Sequence, residues 1–433
     1  MPDSSIVAIK GRRVWDSRGR PTVEAEVRLA CGAVGRAIAP AGASRGSREA
    51  IDLRDGGSTL GGMNVARAAS HVDSEIAGAL LGLDATSQAD IDQTLIALDG
   101  TPNKSRLGAN ATIAVSMAVA HAAAGAANEP LYRYLSAGKT TRVPLPQIQI
   151  FGGGAHAGQR VDIQDFMVTA MSARSFDEAL VMTAEVYRSA GELMKARGLL
   201  QGVADEGGWW PAFDSNEAAL EMLLRAIEKA GYSPGNEVAI SLDVAASEFG
   251  RGGRYRFGLE QREFDSDGLA EVLLRWVDRY PIVSIEDPMA EDDPLGMARF
   301  TAATGGRIQV IGDDFLVTNA VLVQRAAEER TCNAVLIKPN QAGTLTETKA
   351  ALDAGKRAGF GTIVSARSGE TEDVTIAHLS IGWDAGQLKV GAFARSERMA
   401  KWNEVLRIEE TLGRAARFAG SSASPAPPGT KRG

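Results

Sequence analysis

The sequence predicts an α/β fold: a (β/α)8 barrel preceded by a smaller α+β capping domain. Three observations predict it. Between about Asn236 and Gly391, short apolar runs each end on a charged or polar residue and lead into a helical stretch. Apolar runs of that length alternating with helices read as βα units around a parallel sheet buried on both faces. At least six such units occur, which suggests a sheet closed into a barrel with its chemistry at the strand ends. The chain, at 433 residues, is also too long for one small core. The expected division is a capping domain over 1–140, the barrel over 141–419 and a tail over 420–433.

In chain order, Ile6–Trp15 alternates, Asp16-Ser17-Arg18-Gly19 supplies a turn, and 22–29 alternates again, giving a hairpin. A loop poor in large side chains follows at 39–47 and reads as a lid or a linker. Residues 65–127 turn helical and Ala-rich, with His71 and His121 as helix residues without chemistry. Residues 144–146 read as a connector. His156 lies in a glycine-rich loop, Gly152-Gly-Gly-Ala155-His156, and not on an apolar face, which opens a functional role for it. Ser175-Phe-Asp-Glu178 and Thr344-Leu-Thr-Glu347 are capping boxes that open helices. Asp205-Glu206-Gly-Gly-Trp209-Trp210 has the composition of a shaped loop, with a solvated turn as the plainer reading. The tail, rich in Ser, Pro and Gly, has the composition of a disordered segment.

The barrel runs end on Asp243, Glu286, Asp313 and Lys338. One strand-end acid is as readily a helix cap as a ligand, but three in succession form a set of hard oxygen donors. Such a set suits Mg²⁺, which takes a few carboxylates and keeps its other positions for water and substrate oxygens. Lys338 follows a wholly apolar strand, where burial and nearby cations lower a lysine's pKa and free it as a base. Its plainer reading is a salt-bridge partner for those acids. Together the parts suit removal of a proton α to a carboxylate, with the metal holding the charge that results.

Composition narrows the partners. Apolar content of 44% and charged content of 23% are ordinary for a soluble protein, and the net charge is −7. With no basic block, nucleic acid and anionic membrane are not expected partners. Cys31 and Cys332 make neither a disulfide framework nor a zinc site, which fits a reducing cytoplasm. No leader pattern or membrane-length apolar run is read.

The chain resembles the enolase family from about Ile6 to Glu410. The resemblance is carried by Asp16-Ser-Arg-Gly-Arg-Pro-Thr22, Gly42-Ala-Ser-Arg-Gly46, Asp205-Glu-Gly-Gly208 and Leu242-Asp-Val-Ala-Ala-Ser-Glu-Phe249. It continues through Ser284-Ile-Glu-Asp-Pro-Met-Ala-Glu-Asp-Asp293, Gly312-Asp-Asp314 and Lys338-Pro-Asn-Gln341, then Arg367-Ser-Gly-Glu-Thr-Glu-Asp373 and Ala394-Arg-Ser-Glu-Arg398. The resemblance implies an enolase-type barrel with its capping domain, assembled as a homodimer or higher homo-oligomer. It implies Asp243, Glu286 and Asp313 on a first Mg²⁺, Ser44 on a second, Lys338 as base, and Glu206 as the acid assisted by Asp165. Lys389 would hold the substrate carboxylate, Arg367 and Ser368 the phosphate, and His156, Gln164 and Glu286 would line the same pocket. A Lys base with Mg²⁺ is the arrangement known for the enolase superfamily, so this is a match and not a derivation.

The departures are specific. The family's His before Arg367 is Ala366, its Glu at 165 is Asp165, and its Asn and Ser around the glycines are Gly152 and Ala155. Arg45 replaces a Thr, Trp209-Trp210 replaces Phe-Ala, and Phe393 replaces a small residue. All are read as lying on loops that meet substrate, with Arg45 beside the phosphorus and space opened at Ala366. The reading is a specialised member forming a phosphoenolpyruvate-type product from a small anionic phosphorylated or phosphono-carboxylate substrate. The alternatives are ordinary dehydration of 2-phosphoglycerate and a non-catalytic relative.

Overall fold

The computed structural model describes residues 3–139 and 141–423. The chain begins with a three-stranded antiparallel sheet, β1 (Ile6–Trp15), β2 (Pro21–Leu29) and β3 (Val34–Ile38), in the order β1-β2-β3. The helix Ala109–Ala126 packs against β2 and β3. That helix is long and apolar enough to cross a membrane, yet 83% of it is buried inside the fold, which marks a core helix.

The barrel opens with β4 (Leu145–Gly152), β5 (Asp165–Ala170) and β6 (Val238–Asp243). A small antiparallel sheet follows, β7 (Gly250–Arg251), β8 (Arg254–Phe257) and β9 (Arg262–Asp265), which the sequence reading does not contain. The barrel then resumes with β10 (Ile282–Glu286), β11 (Gln309–Gly312), β12 (Ala334–Ile337), β13 (Gly361–Ser365) and β14 (Gly386–Ala392). Its strands close in the order β10-β11-β12-β13-β14-β4-β5-β6. Every residue of β6 and β10 is buried, as strands covered on both faces require.

Two corrections concern this layer. The barrel is not all parallel: β5 runs antiparallel to both β4 and β6. The β4–β5 connection holds only the 3₁₀ turn Gly154–Ala157 and no crossover helix, so the chain returns directly. Two helices, Phe176–Ala196 and Asn216–Lys229, then restore the parallel direction at β6. The connector expected at 144–146 runs straight into β4, whose Pro146 lies near the strand's start, where a missing N–H is tolerated.

Both helices are capped as expected, with Ser175 and Thr344 accepting from the N–H of Glu178 and Glu347, while the Glu178 carboxylate accepts from the Arg174 N–H and not from that of Ser175. His71 Nδ1 meets Leu107 O at 3.0 Å and His121 Nε2 meets Thr375 Oγ1 at 2.9 Å, which are packing roles. The tail expectation fails for 420–423, a 3₁₀ turn whose Ala423 carbonyl accepts from Gln309 and Gln387 at 3.2 and 2.8 Å. The rest of that tail lies outside the described residues.

Candidate active site

The C-terminal strand ends gather the polar side chains into one narrow cleft. It is lined by Ser44, His156, Gln164, Asp165, Glu206, Asp243, Lys338, Arg367, Ser368 and Lys389, with Ala366 beside them. Glu286 and Asp313 sit just beneath, buried and bonded to the two lysines. Thus every site residue expected from the sequence comes together except Arg45.

Two lysines organise the charges. Lys389, in β14, places its Nζ 2.8 Å from Asp243 Oδ2, 2.8 Å from Glu286 Oε2 and 3.2 Å from Asp165 Oδ2. Lys338, at the end of β12, pairs with Asp313 Oδ2. Gln341 holds the other Asp313 oxygen at 2.9 Å, and Asp287 accepts the N–H groups of Asp313 and Asp314 at 2.9 and 2.7 Å. The three expected metal carboxylates therefore do not close on one another. Each instead leans on a lysine.

The titrations follow from these contacts. Burial pushes the Glu286 carboxyl well above its usual range, Asp243 adds to that, and Lys389 only partly offsets it. Burial would raise Asp165 too, but Lys389 and His156 outweigh it and hold it low. The expectation of a lowered Lys338 is corrected. Burial does push it down, but Asp313, with Glu286 behind it, holds the ammonium above its ordinary range.

A divalent cation fits this donor set. Glu286 Oε1 and Gln164 Oε1 are buried without a hydrogen-bond partner, and an orphaned buried oxygen is costly unless an electropositive group meets it. Asp243, Glu286 and Asp313 would hold the ion in place of the lysine contacts, freeing Lys338 from the anion that keeps it protonated.

Glu206, which the resemblance implies as the acid, lines the same cleft as Lys338. Glu206 is at the tip of a turn, with its Oε1 3.8 Å from both His156 Nε2 and Arg398 Nη1. His156 Nδ1 meets Asp165 Oδ1 at 3.1 Å.

Arg367 and Ser368, expected to bind the phosphate, are engaged by the chain's own loop and Glu49. Arg367 pairs with Glu49 at 3.0 Å and donates to Ser44 O at 2.9 Å, while Ala43 N–H donates to Ser368 Oγ at 2.6 Å. The space expected at Ala366 is consequently closed down, leaving a cavity of about 20 Å³, room for a single water.

The departures divide into two groups. Ala366 and Asp165 lie in the cleft. Arg45 is exposed and lies outside the lining, and Phe393 packs against the core. Trp209 stacks on Tyr187 at 4.7 Å and donates from Nε1 to Tyr187 O, so it anchors its loop to the helix Phe176–Ala196 and lies outside the cleft lining. Loop membership alone does not tell which way a side chain turns.

Sequence reasoning assigns no role to Glu49, Gln149, Asp287, Gln341 or Arg398. Asp287, Gln341 and Arg398 stand inside the family motifs. Glu49 and Gln149 carry no local signal, being ordinary polar residues in a loop and a strand.

A family model described as Enolase, N-terminal domain matches residues 6–135, and one described as Enolase, C-terminal TIM barrel domain matches residues 140–426. Motifs, barrel topology and matched domains agree over nearly the whole length: this chain belongs to the enolase family.

Proposed function

We propose that the protein is a Mg²⁺-dependent enzyme that removes the proton α to a carboxylate and forms a phosphoenolpyruvate-type product. Its substrate class is a phosphono-carboxylate, the reading of a carboxyphosphonoenolpyruvate synthase. The family assignment supports an enolase-superfamily lyase, and enolase-family proteins use Mg²⁺.

In this reading Lys338 Nζ takes the α-proton and the electron pair moves into the substrate carboxylate. Asp243, Glu286 and Asp313 would hold Mg²⁺, which when bound would supply a positive field for the negative charge that builds there. Glu206 gives its proton to the group leaving the β-carbon, Asp165 and His156 hold that acid in place, and Arg367 with Ser368 binds the phosphorus group. Binding requires that the lid leave Arg367 and Ser368, exchanging Ser44 O for substrate oxygens.

The observation that carries the specialised reading is Ala366, buried in the cleft between Lys389 and Arg367 where the family has an imidazole. A methyl group there gives a substrate no hydrogen bond, and once the loop withdraws from Arg367 and Ser368 it would fill less of the space beside a phosphorus substituent than an imidazole. A second reading, dehydration of 2-phosphoglycerate, is favoured by the complete set of base, acid and metal carboxylates and by the exposure of Arg45. The test is turnover of 2-phosphoglycerate against phosphono-carboxylate analogues, with Lys338→Ala as control. Preference for the analogues supports the proposal. Preference for 2-phosphoglycerate at a rate typical of central metabolism would overturn it.

A further inference from the structure

One amide ties the acid's loop to the carboxylate across the cleft. Gln149, on β4 and 1% exposed, donates from Nε2 to Asp165 Oδ1. Its Oε1 accepts from the Gly208 N–H at 2.8 Å. Gly208 closes the turn that carries Glu206, since Ala204 N–H donates to Gly208 O at 2.8 Å. Through His156, whose two ring nitrogens face Asp165 and Glu206, the connection returns to the acid itself.

The orientation of the amide is determined by its partners. Reversed, it would set an oxygen against a carboxylate and an N–H against an N–H. Two glycines make room for it. A Cβ on Gly208 would lie 2.4 Å from Gln149 Oε1, and a Cβ on Gly152 would lie 3.1 Å from the same oxygen and 2.7 Å from Ala204 Cβ. Gly152, where the family carries Asn, is thereby explained as the space that Gln149 and the acid's loop occupy.

We infer that Gln149 is a positioning residue for the acid half of the reaction, holding Asp165 and Glu206 in register as one unit. The inference rests on the proposed roles of Lys338 as base and Glu206 as acid. Base and acid then have separate supports: Lys338 is held by Asp313 and Thr318, Glu206 by Gln149.

The experiment uses Gln149→Met, which keeps length and removes both polar atoms, and Gln149→Glu, whose protonated form alone reproduces donor and acceptor. Two readouts are taken. Amide hydrogen exchange at Gly208 needs no substrate. The second compares α-proton exchange of 2-phosphoglycerate in D₂O, which reports the base, with elimination, which reports the acid. For Gln149→Met we expect Gly208 exchange to rise by about tenfold or more. Elimination should fall by about 100-fold, the scale of a misplacement near 1 Å, while α-proton exchange stays within about threefold. Gln149→Glu should regain elimination as pH falls, and Gln149→Met should not. Unchanged Gly208 protection in Gln149→Met would overturn the bridge, and so would an equal fall of exchange and elimination. Failure of the wild type to exchange the α-proton of both 2-phosphoglycerate and phosphono-carboxylate analogues would overturn the proton-abstraction reading alone, because Gly208 protection still decides the bridge.

Discussion

Replacing Lys389 by Met tests the charge arrangement on which the site depends. The ammonium is shared by Asp243, Glu286 and Asp165, at 2.8, 2.8 and 3.2 Å, and all four side chains are buried. Removing one partner of a buried ion pair costs about 3–5 kcal/mol, because the partner left behind is an uncompensated charge. Three carboxylates share this one cation, so the loss is counted once, not three times. Protonation of Glu286, whose carboxyl burial already pushes well above its usual range, relieves part of it. A loss of about 4 kcal/mol is therefore expected for the metal-free protein. Two of these carboxylates, Asp243 and Glu286, are left more attractive to Mg²⁺, so adding the ion should restore more stability to the variant than to the wild type. Urea unfolding in EDTA and in saturating Mg²⁺ measures both effects. A variant within about 0.5 kcal/mol of wild type in EDTA, the range of an ordinary surface change, would refute the reasoning.

Other substitutions test separate parts of the site. Lys338→Ala should reduce α-proton exchange by about 10²–10⁴-fold, the usual contribution of a positioned base, with Mg²⁺ affinity changed far less. Asp287→Ala strips the acceptors from two buried N–H groups beside Asp313, so calorimetric titration should show Mg²⁺ affinity reduced by about 10–100-fold. Glu404 is held down to about 2, below an ordinary value of 4.5, first by His378, whose Nε2 lies 3.4 Å from its Oε1, and then by Arg407 at 2.8 Å. A depressed carboxyl adds stability that is complete above pH 4.5 and is lost as pH falls toward 2. Glu404→Gln should flatten the stability profile in that window, and an unchanged profile would show that the pair contributes nothing to folding. Gly152→Asn, restoring the family residue, should destabilise the protein by about 1–3 kcal/mol through its clash with Ala204, measured by the same urea unfolding.

Much of the barrel is legible in the sequence because its strands are buried on both faces, and a mostly apolar run of strand length that ends on a charge fits little else. Val238–Asp243 and Ile282–Glu286 stand in the structure with the ends that the sequence marks. The reversal at β5 is not legible, because strand direction depends on whether the intervening chain forms a crossover helix, and glycine-rich loops leave that open. Asp243, Glu286, Asp313 and Lys338 are legible as a set from their places at strand ends, and Glu206 only through the family resemblance. Their protonation is not: Lys338 is set by Asp313, 25 positions earlier in sequence and adjacent only in space. Gln149 illustrates the same limit, since its partners Asp165 and Gly208 lie 16 and 59 positions away and meet it only in space.

The most direct test of the central claim is the rate of 2-phosphoglycerate dehydration with Mg²⁺ in the wild type and in Ala366→His. The expected result is a wild-type kcat below about 1 s⁻¹, under the usual enzyme range, and a clear rise when the imidazole is restored. A wild-type rate of about 10–100 s⁻¹, with no gain from the imidazole, would contradict the claim and leave an ordinary enolase.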